Sequence, residues 1–281
     1  MGKNILGISR SPRFSPNSED RDAAIFSSVA DRLERGGNIV YTISEDLLFS
    51  SDLNEFDLVF SMARGRDVLE SLAYEEQHNG LIVVNSATKL LNASRKWIAN
   101  EFVNQGIPHP PLFIASPKST IKTDTLNFPF WIKNCDACAQ TKDDVIFVEN
   151  TATFDKAVQK FANSAENIIV EEHIKGDLVK FYGVVGTDFF FTSYPTDNNG
   201  FSKFGLEDIN GKPNHFTFDL SSLQAACSKA AVLTGFSIYG GDAIINENGK
   251  FCIIDFNDWP SFSACRREAA KAIVNHIKNL L

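Results

Sequence analysis

The N-terminal part of the chain alternates between short apolar segments and segments of helical periodicity, and this alternation limits the choice of folds more than any other feature. NILGIS predicts a strand, and RDAAIFSSVADRLERGG predicts a helix that stops at its Gly-Gly pair. NIVYTI, FDLVFSM and GLIVVNS predict three more strands, with the helix GRDVLESLAYEEQ between the last two. Strands that alternate with helices pair in a parallel sheet covered on both faces, so an α/β protein is expected.

Residues 1–88 are predicted on this basis to form a Rossmann-like N-terminal domain. No G-x-G-x-x-G follows the first strand, so dinucleotide binding there is not expected. Beyond this part, TKLLNASRKWIANEFVNQGIPHPP predicts helical segments that end at Gly106 and a proline cluster. Strands, three helices and two hairpins follow, which makes the rest of the chain α+β in character.

The composition narrows the class of protein. With 281 residues, 43% of them hydrophobic, the chain can bury a sizeable core. No apolar run approaches the roughly 20 residues that span a bilayer and the N-terminus lacks a secretory layout, so a soluble, cytoplasmic protein without membrane contact is expected. Five cysteines indicate free thiols rather than disulfides. A net charge of -8 argues against nucleic-acid binding.

Three oxygen-bearing side chains converge near the C-terminus. GGDAIINENGKFCIIDFN predicts a hairpin through its Asn-Glu-Asn-Gly turn, so Asp242 and Asp255 are expected side by side on neighbouring strands. Asn257, two residues after Asp255, points to the same face of a strand. Two carboxylates and an amide suit a hard cation, Mg²⁺ above all. From spacing alone, caps at the strand ends explain these residues equally well.

Other polar residues are ambiguous when taken singly. Lys133 ends the apolar strand FPFWIK and Lys180 lies in the strand DLVKFYGVV, but a lysine in a sheet is more often solvated than functional. The segment IIVEEHI likewise predicts a strand with a solvated polar end. Cys135 and Cys138 form a C-x-x-C without a second ligand pair, so no redox or metal role is expected there.

In order, five segments resemble the ATP-grasp superfamily: SRKWIANEFVNQGIPHPP, FPFWIKN, NCDACAQTKDD, IIVEEHIKGD and GGDAIINENGKFCIIDFNDWP. The resemblance implies an ATP-grasp fold behind the Rossmann-like domain, with a central and lid subdomain at 89–174 and a C-terminal metal- and nucleotide-binding subdomain at 175–281. VKFYGVVG is similar to a phrase of the glutamate-ligase and inositol-phosphate-kinase branches. The family's phosphate loop is rich in glycine, whereas Asp136–Ala139 contains none.

The resemblance also implies roles for individual residues. Lys96 and Lys133 are expected near the α- and β-phosphates of ATP, and Lys180 near the γ-phosphate. A hinge that comprises Glu171, Glu172, His173 and Ile174 would hold adenine. The contacts would be made by backbone groups of Glu172 and Ile174. Asp177 would accept from ribose hydroxyls. Asp242, Asp255 and Asn257 would hold one or two Mg²⁺, or Mn²⁺ in their place.

The activity implied by the resemblance is ADP-forming ligation, in which ATP activates a small carboxylate as an acyl phosphate for attack by an amine. A kinase acting on a polyol or inositol-type acceptor and a catalytically silent ATP-binding module stay open as alternatives. Lys180, Lys203 and Arg266 are the expected catalytic residues. An anionic substrate is expected from arginines that follow strands or lie beyond Pro260, namely Arg10, Arg13, Arg64, Arg66, Arg266 and Arg267. The oligomeric state is left open, with a homodimer as one option.

Overall fold

The computed structural model describes residues 2–50, 53–135, 144–195 and 207–281. Its N-terminal sheet contains four parallel strands in the order β2-β1-β3-β4, namely β1 (Asn4–Ser9), β2 (Ile39–Ser44), β3 (Leu58–Ser61) and β4 (Ile82–Val84). Two helices connect these strands, α1 (Glu19–Arg35) and α2 (Arg66–His78). The predicted parallel sheet with its crossover helices is therefore confirmed.

A buried carboxylate organises the carboxyl end of this sheet. Glu45, which is 0% exposed, accepts backbone N–H groups from Ser11 at 2.5 Å, Arg64 at 2.9 Å and Gly65 at 2.6 Å. The loop after β1 is thereby tied to the loop after β3, and several hydrogen bonds to one carboxylate offset the cost of burying its charge. The contact fixes the backbone at Arg64, which faces the cleft described below.

The second sheet is antiparallel. It has the order β5-β8-β6-β7, with β5 (Leu112–Ala115), β6 (Phe130–Asn134), β7 (Val145–Val148) and β8 (Ile168–Glu172). α5 (Thr151–Phe161) covers it, and a reciprocal capping box between Asn150 and Thr153 starts this helix. Phe154, Ala157 and Phe161 of α5 pack against Phe130 and Ile132 to form the core of this layer. α3 (Ala87–Asn92) and α4 (Arg95–Gln105) link this sheet to the first one.

The third sheet carries the hairpin that the sequence predicts. Its strands are antiparallel in the order β10-β9-β11-β12, with β9 (Asp177–Val184), β10 (Phe190–Ser193), β11 (Ile238–Ile245) and β12 (Phe251–Asp258). Two helices complete the fold, α6 (Leu220–Thr234) and α7 (Arg266–Leu280), and short 3-10 turns occupy Pro12–Phe14, Glu45–Ser50, Leu53–Glu55 and Glu207–Asn210. One face of the sheet packs through Phe181, Ile253 and Phe256 against apolar side chains of α4 and α6.

The N-terminal sheet docks on the third sheet through specific hydrogen bonds. The Asn85 side chain pairs with the Ile238 peptide, donating to its carbonyl and accepting from its N–H, both at 2.8 Å. The Trp259 indole donates to the Val84 carbonyl at 3.3 Å, and Arg10 donates to the Trp259 carbonyl at 3.1 Å. Within the described residues, the helices are all too short or too polar to cross a membrane, and the cysteines are free thiols.

Candidate active site

Strand register brings the predicted metal ligands to one face of the third sheet. Lys180 on β9, Asp242 on β11 and Asp255 on β12 are consecutive partners across the three strands. Asn257 lies two residues beyond Asp255, opposite Gly240. The pairing of Asp242 with Asp255 is the arrangement that the hairpin predicts, and Lys180 extends the row by one strand.

A β-bulge next to this row determines which side chains face the core. Asp242 pairs with Asp255, but the next residue of β11, Ala243, pairs with Ile253, so Ile254 is the extra residue. In a regular strand Ile253 and Asp255 would share a face, because side chains alternate with a period of two. The bulge turns Ile253 and Phe256 into the core, where they are 2% and 5% exposed, and leaves Asp255 on the opposite face.

The polar side chains of the row contact one another. Lys180 Nζ lies 3.1 Å from Asp242 Oδ1 and 3.4 Å from Oδ2. The Asn257 amide donates to Asp255 Oδ2 at 2.7 Å. Burial raises the pKa of the neighbouring Tyr182 to about 12, with Lys180 opposing the shift and Asp242 adding to it. Tyr182 is therefore a neutral phenol beside the charged groups at physiological pH.

Lys133 connects the second sheet to the edge of the third. Its ammonium forms an ion pair with Glu171 and donates to the Ile254 carbonyl at 2.9 Å. The acceptor is the extra residue of the bulge, so the same irregularity that orients Asp255 also offers a carbonyl to Lys133. The Lys133 and Glu171 side chains are 11% and 7% exposed, which makes this a largely desolvated pair.

A cavity of about 470 Å³ runs along the edge strand β12, between α3, α4 and the second sheet. Its polar lining includes Lys133, Glu171, Asp255, Asn257 and Arg64, and its apolar lining includes Leu90, Leu91, Ile98, Phe102, Leu112 and Ile169. Lys180 and Asp242 continue the row of Asp255 on the same face of the sheet, beyond the lining of the cavity. The cleft therefore joins the lysine of the second sheet, the carboxylate strand and the arginine loop of the first sheet. A pocket of this size with a few convergent polar groups is typical of a small-molecule site.

Lys96, which stays a prediction as a phosphate contact, does not line the cavity. Its side chain is exposed and its Nζ lies 3.4 Å from Asn167 Oδ1, away from the cavity. Arg95, one residue earlier, lines the cavity and donates to the Asn134 carbonyl at 2.7 Å. Ser94 caps α4 by accepting from the Trp97 N–H, so Arg95 is the first helical residue and points about 100° away from Lys96. The Ser94 cap is the sequence signal that could have revealed this phase.

The predicted hinge comprises the last two residues of β8 and the two residues that follow, and several of its polar groups have structural partners. The Glu172 carboxylate accepts the Asn127 backbone N–H at 2.6 Å and its side-chain amide at 3.1 Å. His173 Nδ1 accepts the Trp131 indole N–H at 3.1 Å. Burial, with the nearby charge of Lys175, lowers the pKa of His173, in agreement with a neutral ring that accepts this bond. The Ile174 carbonyl accepts from the Asn210 amide at 3.3 Å.

Asp177, the predicted ribose contact, supports a loop in the structure. Its side chain is buried, and its two oxygens accept the backbone N–H groups of Asn214 at 2.7 Å and Phe216 at 2.8 Å. A carboxylate already engaged by two backbone donors holds the segment before α6 in place. The contact with ribose hydroxyls stays a prediction.

The arginines of the first sheet divide into structural and cleft-facing residues. Arg10 is a structural residue, because its side chain is 9% exposed and pairs with Asp22 at 2.9 Å. Arg64 lines the cavity and pairs with Asp258 at 2.5 Å. Arg13 is exposed and lies 3.5 Å from Asp46, and Arg66 lines the cavity mouth while pairing with Glu70 at 2.7 Å.

Of the remaining predicted residues, Arg266 opens α7 without lining the cavity, and its Nε is buried with no hydrogen-bond partner among the described residues. Arg267 is exposed and pairs with Glu268 at 3.1 Å. Lys203 and the glycine-free segment Asp136–Ala139 lie outside the described residues.

Three sheets in this order, with the carboxylate hairpin beside an interdomain cleft, form an ATP-grasp fold. No family model and no curated protein matches the sequence. Among solved structures, the D-alanine–D-alanine ligase of Bacillus anthracis complexed with ATP has a TM-score of 0.65 at 10% identity, with 99% of this chain and 96% of that chain covered. The D-alanine–D-alanine ligase of Coxiella burnetii has a TM-score of 0.69 at 13% identity, with 99% and 94% covered. At these identities the likeness establishes the shared fold, and the fold predicted from the sequence is confirmed.

Proposed function

We propose that the protein is an ATP- and Mg²⁺-dependent ligase that joins a small carboxylic acid to an amine and releases ADP. The γ-phosphoryl group passes from ATP to a carboxylate oxygen, and the amine nitrogen then bonds to the acyl carbon as phosphate leaves. The observation that carries this proposal is the row of Lys180, Asp242 and Asp255, with Asn257 beside it, at the cleft of a fold shared with D-alanine–D-alanine ligases.

The donor set fits a divalent cation. Asp242, Asp255 and Asn257 supply oxygens from one face of a hairpin, which is the ligand type that Mg²⁺ and Mn²⁺ take in phosphate-binding sites. The set holds two carboxylates, and the Asn257 amide oxygen is the third ligand that it offers, with water and phosphate oxygens completing the shell. When bound, the ion neutralises phosphate charge.

The nucleotide would lie between the second and third sheets. We assign phosphate contacts to Lys133 and Arg95, because both cationic side chains line the cavity, and the γ-phosphate contact to Lys180. The adenine contact stays assigned to the hinge Glu171–Ile174, through its backbone. Lys203 and Arg266 remain predictions as catalytic residues.

The acid substrate would enter from the side of the first sheet. Arg64 lines the cavity there, its backbone is fixed by Glu45, and its guanidinium can pair with an incoming anion as well as with Asp258. We therefore infer a small anionic substrate. A cytoplasmic location fits this proposal, since free thiols persist in a reducing compartment.

The test is a trapping assay. The purified protein is incubated with Mg-ATP, hydroxylamine and single acids from a panel that includes D-alanine, other amino acids and dicarboxylic acids. We expect at least one acid to yield ADP, phosphate and an acyl hydroxamate in equal amounts, because hydroxylamine intercepts the acyl phosphate.

Asp255→Asn should abolish product formation, since it removes one of two carboxylates at the cation site, whereas Glu247→Gln at the exposed turn of the same hairpin should not. ADP formation with the phosphoryl group retained on an acceptor and no hydroxamate would identify a kinase instead. Stabilisation by Mg-ATP without turnover on any acid would favour the silent binding module.

A further inference from the structure

The ammonium of Lys180 pairs with Asp242, one of the two carboxylates that we assign to the divalent cation. Lys180, Asp242 and Asp255 are register partners on three adjacent strands, and Lys180 Nζ lies 3.1 and 3.4 Å from the two Asp242 oxygens. The Lys180 and Asp242 side chains are 21% and 24% exposed, so water screens their charges only in part.

Without a cation, the hairpin would place two like charges opposite each other. Directly paired residues on antiparallel strands have Cβ atoms about 5 Å apart, and like charges at that separation destabilise the pair. Here Lys180 compensates Asp242, and the Asn257 amide donates to Asp255. The carboxylate face is thus already stabilised by the protein's own groups.

A dication that approaches Asp242 meets a positive charge at hydrogen-bond distance from the same oxygens. Binding then requires Lys180 either to move away or to remain beside a second cation, and both reduce the affinity for the metal alone. The phosphates of a nucleotide change this balance, because they offer anionic oxygens to Lys180 as well as to the metal.

We propose that Lys180 is the resident counter-ion of Asp242, so that the divalent cation binds weakly by itself and tightly only together with a nucleotide whose phosphates take over the ammonium. The nucleotide half of this inference rests on the proposed function. The metal half concerns only the described row of side chains. Lys180 thereby acts as a positioning residue that couples metal binding to nucleotide binding.

The first experiment measures Mn²⁺ binding without nucleotide by electron paramagnetic resonance, for wild type, Lys180→Gln and Lys180→Arg. We expect Lys180→Gln to bind Mn²⁺ at least tenfold more tightly than wild type, because the competing charge is gone. Lys180→Arg keeps that charge and should bind as weakly as wild type. Equal Mn²⁺ affinities of wild type and Lys180→Gln would overturn the inference. Tight Mn²⁺ binding by wild type in the absence of nucleotide would overturn it as well.

Thermal unfolding gives an independent readout, which remains decisive if the Lys180→Gln variant folds poorly. Metal-free Lys180→Gln should melt below wild type, and Mn²⁺ should raise its melting temperature while leaving that of wild type nearly unchanged. If Lys180→Gln is unfolded without metal, recovery of its fold by Mn²⁺ but not by sodium chloride of equal ionic strength supports the inference. Recovery by neither contradicts it.

A non-hydrolysable ATP analogue separates this inference from the proposed function. In its presence the Mn²⁺ affinity of wild type should rise strongly, and that of Lys180→Gln should rise less. An analogue that binds wild type without changing its Mn²⁺ affinity overturns the nucleotide half. An analogue that does not bind at all refutes the ATP-dependent function and the nucleotide half together, while the comparison of Lys180→Gln with Lys180→Arg still decides the metal half.

Discussion

At the residue scale, the phase of one helix decides which of two basic side chains faces the cleft. Arg95 and Lys96 are adjacent and chemically similar, yet Arg95 lines the cavity whereas Lys96 is exposed beside Asn167. Their side chains diverge by about 100°, because an α-helix has 3.6 residues per turn. The Ser94 cap fixes where the helix begins and therefore which of the two faces inward.

Replacing these two side chains one at a time tests which of them contacts the phosphates. Arg95→Met should weaken binding of Mg-ATP by roughly tenfold or more, because a charge-assisted contact to phosphate is worth about 1.5–3 kcal/mol. Lys96→Met should change the affinity by less than about twofold, as expected for an exposed residue outside the site. Calorimetric titration with a non-hydrolysable analogue measures both. A larger loss in Lys96→Met than in Arg95→Met would restore the original prediction.

At the element scale, the sequence predicted the strands better than their irregularities. The β11–β12 hairpin follows from the Asn-Glu-Asn-Gly turn. The shared face of Asp242 and Asp255 depends in addition on the bulge, because the register next to the turn would otherwise pair Asp242 with Ile254. The bulge at Ile254 could not be predicted, because two neighbouring isoleucines are compatible with either register of a buried strand. That bulge nevertheless provides the carbonyl that holds Lys133.

The hydrogen bond between Trp131 of β6 and His173, just after β8, should make the stability of the protein depend on pH. His173 has to be neutral at Nδ1 to accept the Trp131 indole, and burial lowers its pKa below the ordinary value of 6.5. The unfolded chain therefore binds a proton at a higher pH than the folded chain does. The stability contributed by this residue is complete above pH 6.5 and is lost as the pH falls below it.

Melting temperatures at pH 7.5 and 5.5 check this sign. Wild type should lose more stability over this range than His173→Gln, whose amide oxygen can accept the indole bond but does not titrate. His276, whose pKa burial also lowers, is present in both proteins and cancels in the comparison. A pH dependence that is the same in both proteins would show that His173 does not contribute.

At the scale of the whole molecule, the site is assembled from three sheets that are distant in sequence. The predicted division into 1–88, 89–174 and 175–281 places one sheet in each part and stays a prediction as to its boundaries. Contacts between these parts leave no periodic pattern in the sequence, so the structural role of Arg10 and the pairing of Arg64 with Asp258 could not be anticipated.

The amide of Asn85 joins the first sheet to the third. It is 1% exposed and satisfies both the N–H and the carbonyl of Ile238, the first residue of β11. Asn85→Leu keeps the side-chain volume but leaves both buried backbone groups unpaired, so we expect it to cost about 2–5 kcal/mol of unfolding free energy. Asp242 lies on the same strand, so displacement of β11 should also weaken Mn²⁺ binding in the presence of nucleotide.

Urea denaturation of wild type, Asn85→Leu and Asn92→Leu tests this contact. Asn92 is exposed and donates one hydrogen bond to Thr88 within α3, so Asn92→Leu is a matched control that should stay within about 0.5 kcal/mol of wild type. A loss below about 1 kcal/mol in Asn85→Leu, with unchanged Mn²⁺ affinity, would mean that the two sheets stay docked without the Asn85 amide. The expected joint loss of stability and metal binding would instead show that the docking of the first sheet sets the position of the strand that carries Asp242.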